Sequence, residues 1–304
     1  MKRALIACLG GIVVTSWSAV FAQEITVVGW NAESGDSDPA WVAGKIADLD
    51  GVDVWGMCEV QNEEWAQMFE AAAETGEQAD FVYILGTTGG ADKMAIIYDA
   101  DRFDLVETME LEHINPWGSV RAPLVAHLRQ ISDGAEFLFV INHLYRSNAD
   151  RRHEQAELLN EWAHQQSLPV IAVGDYNFDW EVQGGDTDHD AGFDNMVANG
   201  VFSWVRPAVL TKTQLNPHYD SVLDFVFISE AGNSWGATAT ILTAGFPTLD
   251  TDETSDHLPV MAMFDLGGVA PVIGVGNLKA ALLERIAALE AELAELRELV
   301  ESME

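Results

Sequence analysis

A carboxylate and a carboxamide stand two residues apart after an apolar run in the segment VIAVGDYNFDW, residues 170–180. The run at 170–173 is typical of a strand covered on both faces, and Gly174 is expected to end it. Because successive side chains of an extended chain alternate between two sides, Asp175 and Asn177 point the same way. Oxygen groups of this kind can bind a hard divalent cation or hydrogen-bond a reacting group.

The same pattern, an apolar run that ends in polar residues, recurs along the chain. Asn31 and Glu33 follow TVVGW, and Glu59 follows VDVWGMC. The other examples are Asn142 and His143 in FVINHLYR, Asp224 in LDFVFIS, and Asp256 and His257 in TSDHLP. Each residue alone is more typical of a solvated turn or a hydrogen-bonded surface position, so only the combination indicates a site.

Taken in order, the segments WN, NHL, GDYN, LDF and SDHLP, with a glutamate after a strand, resemble the endonuclease/exonuclease/phosphatase family. The resemblance runs from about residue 25 to residue 264, and GDYN and SDHLP are its most specific pieces. It implies an α/β fold, a four-layer sandwich of two packed mixed β-sheets flanked by helices. It also implies that loops at one end of the sandwich carry a divalent-metal site that cleaves phosphate esters.

The resemblance assigns roles to these residues. Glu59 is the first expected metal ligand, assisted by Asn31 and Asp256, and Mg²⁺ is the expected ion, with Mn²⁺ or Ca²⁺ as alternatives. The expected catalytic residues are His257 as general base, Asp224 to orient it, Asp175 to orient the attacking water, and Asn177 and His143 to hydrogen-bond the phosphoryl group. For Asp175 and Asn177, the alternative is an Asx-type cap on the following turn.

Three further residues are candidates for the substrate side. Arg121, in SVRAPLVAHL, matches a family position that often touches phosphate, and an ordinary surface salt bridge is an equal alternative. Tyr145 and Arg146 follow His143 closely and are expected to shape the region where substrate lies.

Two other features favour structural roles. Asp186, Asp188 and Asp190 are spaced like the start of a calcium loop, but Ala191 stands where such a loop needs glycine, which favours a solvated loop. Cys58 ends an apolar run and is expected to be a buried structural thiol.

Short apolar runs, separated by helical or loop-like stretches, predict one mixed α/β domain over residues 23–266. The predicted strands are 25–30, 52–58, 94–98, 123–128, 137–144, 170–173, 223–228 and 258–264. The predicted helices are 40–49, 63–74 and 149–166.

The amino terminus has the layout of a secretory signal peptide, residues 1–22. Lys2 and Arg3 precede an apolar stretch, and small residues precede Gln23. The alternative is an amino-terminal membrane anchor. The signal peptide predicts a secreted or periplasmic protein with no stable membrane insertion after cleavage.

The carboxyl terminus changes in composition after residue 266. Residues 267–277 form a linker rich in Gly, Val and Pro, and residues 278–304 carry a seam of apolar residues at alternating spacings of four and three. This seam predicts a coiled-coil helix that makes the protein a homo-oligomer, with dimer and trimer both open. The alternative is a single amphipathic helix that packs back on the domain.

The charge of the chain limits its partners. Its 304 residues include 15 Lys and Arg against 49 Asp and Glu, a formal net charge of −34. No broad basic stripe is available for a nucleic-acid backbone, which argues against tight duplex binding. An acidic, solvated surface suits a saline setting, where charges are screened.

The leading hypothesis is an exported, metal-dependent phosphodiesterase or nuclease that hydrolyses P–O bonds by in-line attack of water. Its substrate is a phosphate ester, and nucleic acid is the first class considered. The alternatives are a sphingomyelinase-like lipid phosphodiesterase, a small-molecule phosphatase, and a catalytically silent binding module clustered by its helical tail.

Overall fold

The computed structural model describes residues 24–115, 118, 120–183, 188–251 and 253–266. The predicted signal peptide, linker and coiled-coil helix lie outside the described residues. In the described part, two six-stranded sheets pack face to face. No helix of the described residues is long and apolar enough to cross a membrane.

The first sheet contains both parallel and antiparallel pairs. Numbered in chain order, its strands are β1 (Glu24–Asn31), β2 (Val54–Val60), β3 (Phe81–Leu85), β4 (Lys93–Asp99), β11 (Gly236–Ile241) and β12 (Val260–Asp265). Their order across the sheet is β11-β12-β1-β2-β4-β3. The central pair, β1 and β2, is parallel, and the register places Asn31 beside Cys58.

The second sheet is also mixed. Its strands are β5 (Phe103–Glu110), β6 (Leu124–Gln130), β7 (Glu136–His143), β8 (Val170–Glu181), β9 (Phe202–Trp204) and β10 (Ser221–Ser229). They lie in the order β5-β6-β7-β8-β10-β9. Here β7 and β8 are parallel, and the register pairs His143 with Asp175.

Helices cover the outer faces of the sheets. They are α1 (Pro39–Ala47), α2 (Glu63–Glu77), α3 (Ala149–His164) and α4 (Ala191–Met196), with short 3₁₀ turns at Glu112–Ile114, Ala198–Gly200 and Glu230–Gly232. Each α-helix begins at an Asp or Asn whose side chain accepts a backbone hydrogen bond from the first turn. Such caps satisfy amide groups that have no partner within the helix.

The hydrophobic core has two layers. One cluster lies between the sheets and reaches the inner face of α3, and the other joins the first sheet to α1 and α2. At Gly56 the sheets approach so closely that a Cβ would lie 2.6 Å from the Val173 side chain. Burial of each large apolar side chain contributes about 1.5–3 kcal/mol, so the sandwich is held mainly by this packing.

The predicted fold class is confirmed, and each predicted strand and helix has a counterpart. One expectation about the boundaries is wrong, because Gly174 does not end its strand and β8 continues to Glu181. The strands without a sequence prediction are β3, β5, β9 and β11. All four are edge strands. In addition, β5 and β11 are mostly exposed, so they lack the apolar run that identifies a buried strand.

Candidate active site

The polar residues that end the apolar runs meet at one end of the sandwich. The parallel register of β1 with β2, and of β7 with β8, brings the tips of four strands to the same edge. The antiparallel strand β10 places Asp224 opposite Asp175. The loop before β12 adds His257, whose backbone carbonyl accepts a hydrogen bond from the Trp30 indole. The fold therefore converges residues that are far apart in sequence.

Gly174 allows β8 to pass close to β7 at this edge. Its φ is +130°, and a Cβ at this position would lie 2.0 Å from the backbone oxygen of Asn142. No other residue fits that space or that backbone conformation without displacement. The next residue, Asp175, thereby comes to lie beside His143.

Four polar residues around the site hold a left-handed backbone. They are Glu33, Glu59, Asn177 and Asp179, with φ between 49° and 54°. Register shifts interrupt the pairing of β2 near Glu59 and of β8 with β10 between Val222 and Asp224. Such strain is costly for residues with a Cβ and concentrates at functional sites, where it aims a side chain out of the regular ladder.

Asn31 connects two carboxylates. Its Nδ2 donates to Glu59 Oε1 at 2.9 Å and to Asp175 Oδ2 at 3.2 Å. Its Oδ1 accepts from the backbone nitrogen of Glu33 at 3.0 Å. In this arrangement Asn31 holds Glu59 and Asp175 side by side.

His257 lies between carboxylates. Its Nδ1 is 2.7 Å from Asp224 Oδ2, and its Nε2 is 3.8 Å from Asp175 Oδ2 and 3.7 Å from Asp256 Oδ1. Burial acts to lower the pKa of His257, but Asp224 and Asp175 outweigh it and raise that pKa well above the usual range. Burial also raises the pKa of Asp175 to about 7, against the attraction of His257.

His143 has the opposite electrostatic character. Its Nε2 is 3.3 Å from Asp175 Oδ2, and its Nδ1 is 3.8 Å from Glu59 Oε1 and 4.0 Å from Asp92 Oδ1. Burial, reinforced by Arg121 and by His257, lowers the pKa of His143 well below its usual range. The ring is therefore neutral at ordinary pH.

The residues fit a hard divalent cation. Two groups of the described residues bring ligand atoms within 4.8 Å of one another, namely Glu59, Asp92 and His143, and Asp175, Asp224 and His257. Within the described chain, Asp92 Oδ1 and His143 Nδ1 are buried without a hydrogen-bond partner. Carboxylate oxygens are the ligands preferred by Mg²⁺, Mn²⁺ and Ca²⁺. Glu59 and Asp256 line the same cavity of about 190 Å³, together with Glu33.

The model of the family described as "Endonuclease/Exonuclease/phosphatase family" matches residues 28–257. The chain belongs to this family. The resemblance predicted from the sequence motifs is confirmed. The protein is therefore an enzyme of the class of metal-dependent phosphoric ester hydrolases.

Solved structures of this fold are similar over most of the chain. An endonuclease/exonuclease/phosphatase family protein from Bacteroides thetaiotaomicron is 20% identical, with a TM-score of 0.59, over 79% of this chain and 97% of that one. A mannosyl-6-phosphatase from the same organism is 20% identical, with a TM-score of 0.57, over 78% and 98%. TDP2 from D. rerio, complexed with a single-strand DNA product, is 16% identical, with a TM-score of 0.62, over 80% and 99%. No curated protein matches the chain significantly.

Asn177 lies where the sequence motif of the endonuclease/exonuclease/phosphatase family predicts, but its backbone nitrogen and one of the two hydrogens on its Nδ2 are engaged. Its backbone nitrogen donates to Asp175 Oδ1 at 3.0 Å, which forms the Asx-type turn considered as the alternative. Its Nδ2 donates to the Leu144 carbonyl at 3.2 Å. The second oxygen of Asp175 still faces His143 and His257, so the turn and a site role are compatible.

Arg121 is a buried partner of a residue that the sequence reasoning missed. Its Nη1 donates to Asp92 Oδ2 at 2.6 Å, and only 11% of its side chain is exposed. Burial raises the pKa of Asp92 to about 6, Arg121 opposes this shift, and Glu59 adds to it. Asp92 lies in the loop TTGGADK, directly before β4, and none of the sequence motifs that resemble the family includes it.

Glu33 is a second residue that gained no assigned role from the sequence. Its Oε2 accepts from the backbone nitrogen of Asp256 at 2.8 Å, and burial, with the Asp256 charge, raises its pKa to about 7. The sequence does contain a signal for Glu33 as a site residue, because Glu33 follows Asn31 with the same spacing that separates Asp175 from Asn177. Asp256 also accepts from Gln214 Nε2 at 2.6 Å.

Arg146 is at the mouth of the site, whereas Tyr145 contacts α3. The Tyr145 hydroxyl accepts from Arg151 Nη1 at 2.7 Å, and the guanidinium also stacks on its ring. Arg146 is exposed and lines the cavity that contains Glu59 and His257.

Cys58 and Asp190, which are expected to have structural roles, both have structural contacts. Cys58 is buried, its Sγ donates to the Asn142 carbonyl at 3.1 Å, and burial raises its pKa well above the usual range. Asp190 caps α4 and pairs with Arg152 at 2.6 Å, which occupies its carboxylate. Asp186 lies outside the described residues.

Proposed function

We propose that this enzyme is an exported phosphodiesterase that hydrolyses a P–O bond by in-line attack of water. The observation that carries the proposal is the position of His257 Nε2, 3.8 Å from Asp175 Oδ2, in the cavity that Glu59 also lines. A base, a group that orients water and a carboxylate for a cation are thus within one small space.

Water activation falls to Asp175 and His257. The attacking water would donate one hydrogen bond to Asp175 Oδ2 and pass its proton to His257 Nε2 as the new P–O bond forms; the opposite P–O bond breaks, and the leaving alcohol oxygen takes its proton from solvent. This requires the neutral form of His257, which a bound cation would favour by opposing the carboxylates that raise its pKa. Asp224 holds Nδ1 and stabilises the imidazolium that results. On the other side of Asp175, neutral His143 donates a hydrogen bond to a phosphoryl oxygen, where negative charge develops.

Glu59 is the proposed principal ligand of a divalent cation, and Asp256 is the proposed second ligand. Asn31 supports the site by the hydrogen bond from its Nδ2 that holds Glu59, because its oxygen is engaged by the backbone nitrogen of Glu33. When bound, the cation neutralises the phosphoryl oxygens and lowers the pKa of nearby imidazoles and water. Mg²⁺ is the proposed ion because it is satisfied by few protein ligands and several waters. The ion pair of Arg121 with Asp92 borders the same space.

The phosphodiester substrate is proposed first as nucleic acid. TDP2, of the same fold, is described with a single-strand DNA product, which makes single strands the first class to test. A small-molecule phosphate ester is the second candidate. It is favoured by the formal net charge of −34, which repels a polyanion, and by the compact cavity. Export rests on the signal-peptide pattern at residues 1–22, with a secreted or periplasmic location as the proposal.

A metal-by-substrate screen tests the proposal. The purified protein is stripped with a chelator and supplied with Mg²⁺, Mn²⁺ or Ca²⁺, at low and high salt, with single- and double-stranded DNA, RNA, sphingomyelin and bis(4-nitrophenyl) phosphate. We expect hydrolysis of the chromogenic diester only with added metal. Hydrolysis that persists in excess chelator, or no hydrolysis with any ion, contradicts the proposal.

A further inference from the structure

A second depression, here called the side groove, opens beside the catalytic cavity and has a volume of about 310 Å³. The two spaces share a wall formed by Arg146, Asn177, Gln214 and Leu223. An ester whose phosphorus lies in the catalytic cavity therefore has room for one of its alcohol portions in the side groove.

Asp179 is the acidic residue of the side groove and extends the series that begins with Asp175 and Asn177. The intervening residues Tyr176 and Phe178 are buried in the core, so the three polar residues lie on the other side of β8. Asp179 has φ 49°, the strained conformation that Glu59 and Asn177 also hold at the catalytic cavity. Its Oδ1 accepts from the Ser221 hydroxyl, and no described residue hydrogen-bonds its Oδ2.

Arg146 stands at the junction of the side groove and the catalytic cavity. Among the arginines that the structure describes, it is the one whose guanidinium has no hydrogen bond, ion pair or aromatic contact. Its position favours contact with an anionic group that bridges the two spaces, such as the phosphate of an ester.

The remaining wall suits a ring with hydroxyl groups. Tyr219 is 49% exposed and lines the groove with an aromatic ring, while Asp179 lines it with a carboxylate that can accept from a hydroxyl donor. Beyond Asp179, the surface continues into a depression of about 440 Å³ that is lined by Glu181, Asp188 and Asp220. Arg152, His189 and His218 also line this depression, but Arg152 is paired with Asp190 and His189 with Asp194. A second phosphate in that direction would therefore meet mainly like charge.

We propose that the side groove binds the alcohol portion of a small phosphate ester that carries a polyhydroxylated ring, with Asp179 and Tyr219 as its specificity-determining residues. The inference rests on the proposed function and takes up its second candidate substrate, the small-molecule phosphate ester, in preference to nucleic acid. A monosaccharide and the ribose of a nucleoside share this chemistry, so the test includes both.

The test uses the full chain with Mg²⁺ or Mn²⁺ and phosphodiesters that share 4-nitrophenol as the leaving group. The second alcohol is phenol, a hexose or a ribonucleoside. We expect kcat/KM for the better hydroxylated ester to exceed that for the phenyl ester at least about tenfold, since hydrogen bonds to a charged acceptor are strong. Comparison of kcat/KM for the hexose ester and the ribonucleoside ester shows which ring is preferred.

Variants of the groove residues test whether the side groove causes the preference for the hydroxylated ester. We expect Asp179→Ala to lower the ratio of hydroxylated to phenyl kcat/KM by about tenfold to a hundredfold. Asp179→Asn tolerates the left-handed backbone and should lower the ratio less, which keeps the test valid if the alanine variant does not fold. Tyr219→Ala should lower the ratio and Tyr219→Phe should retain it. Asp80→Asn, an exposed acid before β3, is the matched control and should leave it unchanged.

Three results overturn the groove assignment while the proposed function stands. They are a wild-type preference for the phenyl ester, an unchanged ratio in both Asp179 variants, and a higher kcat/KM for a single-stranded oligonucleotide than for any small ester. Failure to hydrolyse any of the diesters with Mg²⁺, Mn²⁺ or Ca²⁺ instead overturns the proposed function itself.

Discussion

Asp224 and His257 are joined by a contact of 2.7 Å between Oδ2 and Nδ1, although 33 residues separate them. Both side chains are buried, with 2% and 5% of each residue exposed. Because Nδ1 is engaged, Nε2 is the nitrogen that faces the cavity and Asp175. The contact thus fixes which ring atom can exchange a proton with water.

Replacement of Asp224 tests this relationship. We expect Asp224→Asn to lower kcat by about 10²- to 10⁴-fold with little change in KM, because the amide no longer stabilises the imidazolium. Steady-state kinetics on a chromogenic diester measure the effect, and Asp80→Asn serves as the matched control. A kcat within twofold of wild type would remove His257 from the proton transfer.

Glu59 is expected to control metal affinity. Glu59→Gln removes the charge and keeps the shape, so the dissociation constant for Mn²⁺ should rise at least about tenfold, as measured by calorimetry on chelator-stripped protein. The matched control is Glu64→Gln, an exposed glutamate in the first turn of α2. Equal affinities in the two variants would exclude Glu59 as the principal ligand.

Much of the site could be predicted because polar residues end apolar runs. Glu59, Asp175 and His257 each follow or flank a strand that is hydrophobic enough to recognise, and parallel register brings such strand ends together. Asp92 also stands close to a predicted strand, 94–98, but none of the motifs that resemble the family includes it, and its place depends on Arg121, 29 residues away. Long-range pairing of this kind leaves no local signal.

The end of β8 is wrongly predicted for a different reason. A glycine after an apolar run is typical of a strand end. In the fold, Gly174 instead lets β8 lie close to β7, and β8 continues beyond it. The predicted strand ends at residue 173, so Asp179 lies outside it and receives no role from the sequence. A bulged strand with residues of positive φ cannot be recognised by simple alternation.

Gly174 should be intolerant of any side chain. We expect Gly174→Ala to destabilise the protein by more than about 3 kcal/mol, since the added Cβ meets the Asn142 carbonyl and the backbone is strained. Gly90→Ala is the control, because Gly90 also has a positive φ of 66° but an added Cβ meets nothing within 4 Å. That variant should lose only about 1–2 kcal/mol in denaturant unfolding. Equal losses of unfolding free energy in the two variants would show that backbone strain, and not the contact with the Asn142 carbonyl, determines the effect.

The carboxyl-terminal seam is expected to cause self-association. Deletion of residues 277–304 should yield a monomer that keeps its activity on small substrates, as measured by light scattering and kinetics. Leu293→Lys, within the seam, should weaken association, and Glu298→Lys, at the heptad position farthest from the seam, should not. An unchanged mass after the deletion would exclude oligomerisation through this segment.

Asp53 should make folding stability depend on pH. It is buried at 5% exposure and accepts from the Thr26 backbone nitrogen and from Arg102, yet burial outweighs these contacts and raises its pKa to about 6. In the unfolded chain its pKa returns to about 3.9, so between these values the folded state binds more protons. Its contribution to stability is present below about pH 4 and is lost as pH rises through about 6.

The pH dependence can be isolated by a difference measurement. Denaturant unfolding of chelator-treated wild type and Asp53→Asn is compared from pH 4.5 to 8, with Asp80→Asn as the control. The loss of unfolding free energy with rising pH should be smaller in Asp53→Asn by on the order of 2–3 kcal/mol, because asparagine does not titrate. Parallel curves for wild type and Asp53→Asn would mean that Arg102 keeps the carboxylate ionised throughout, and that the ion pair outweighs burial.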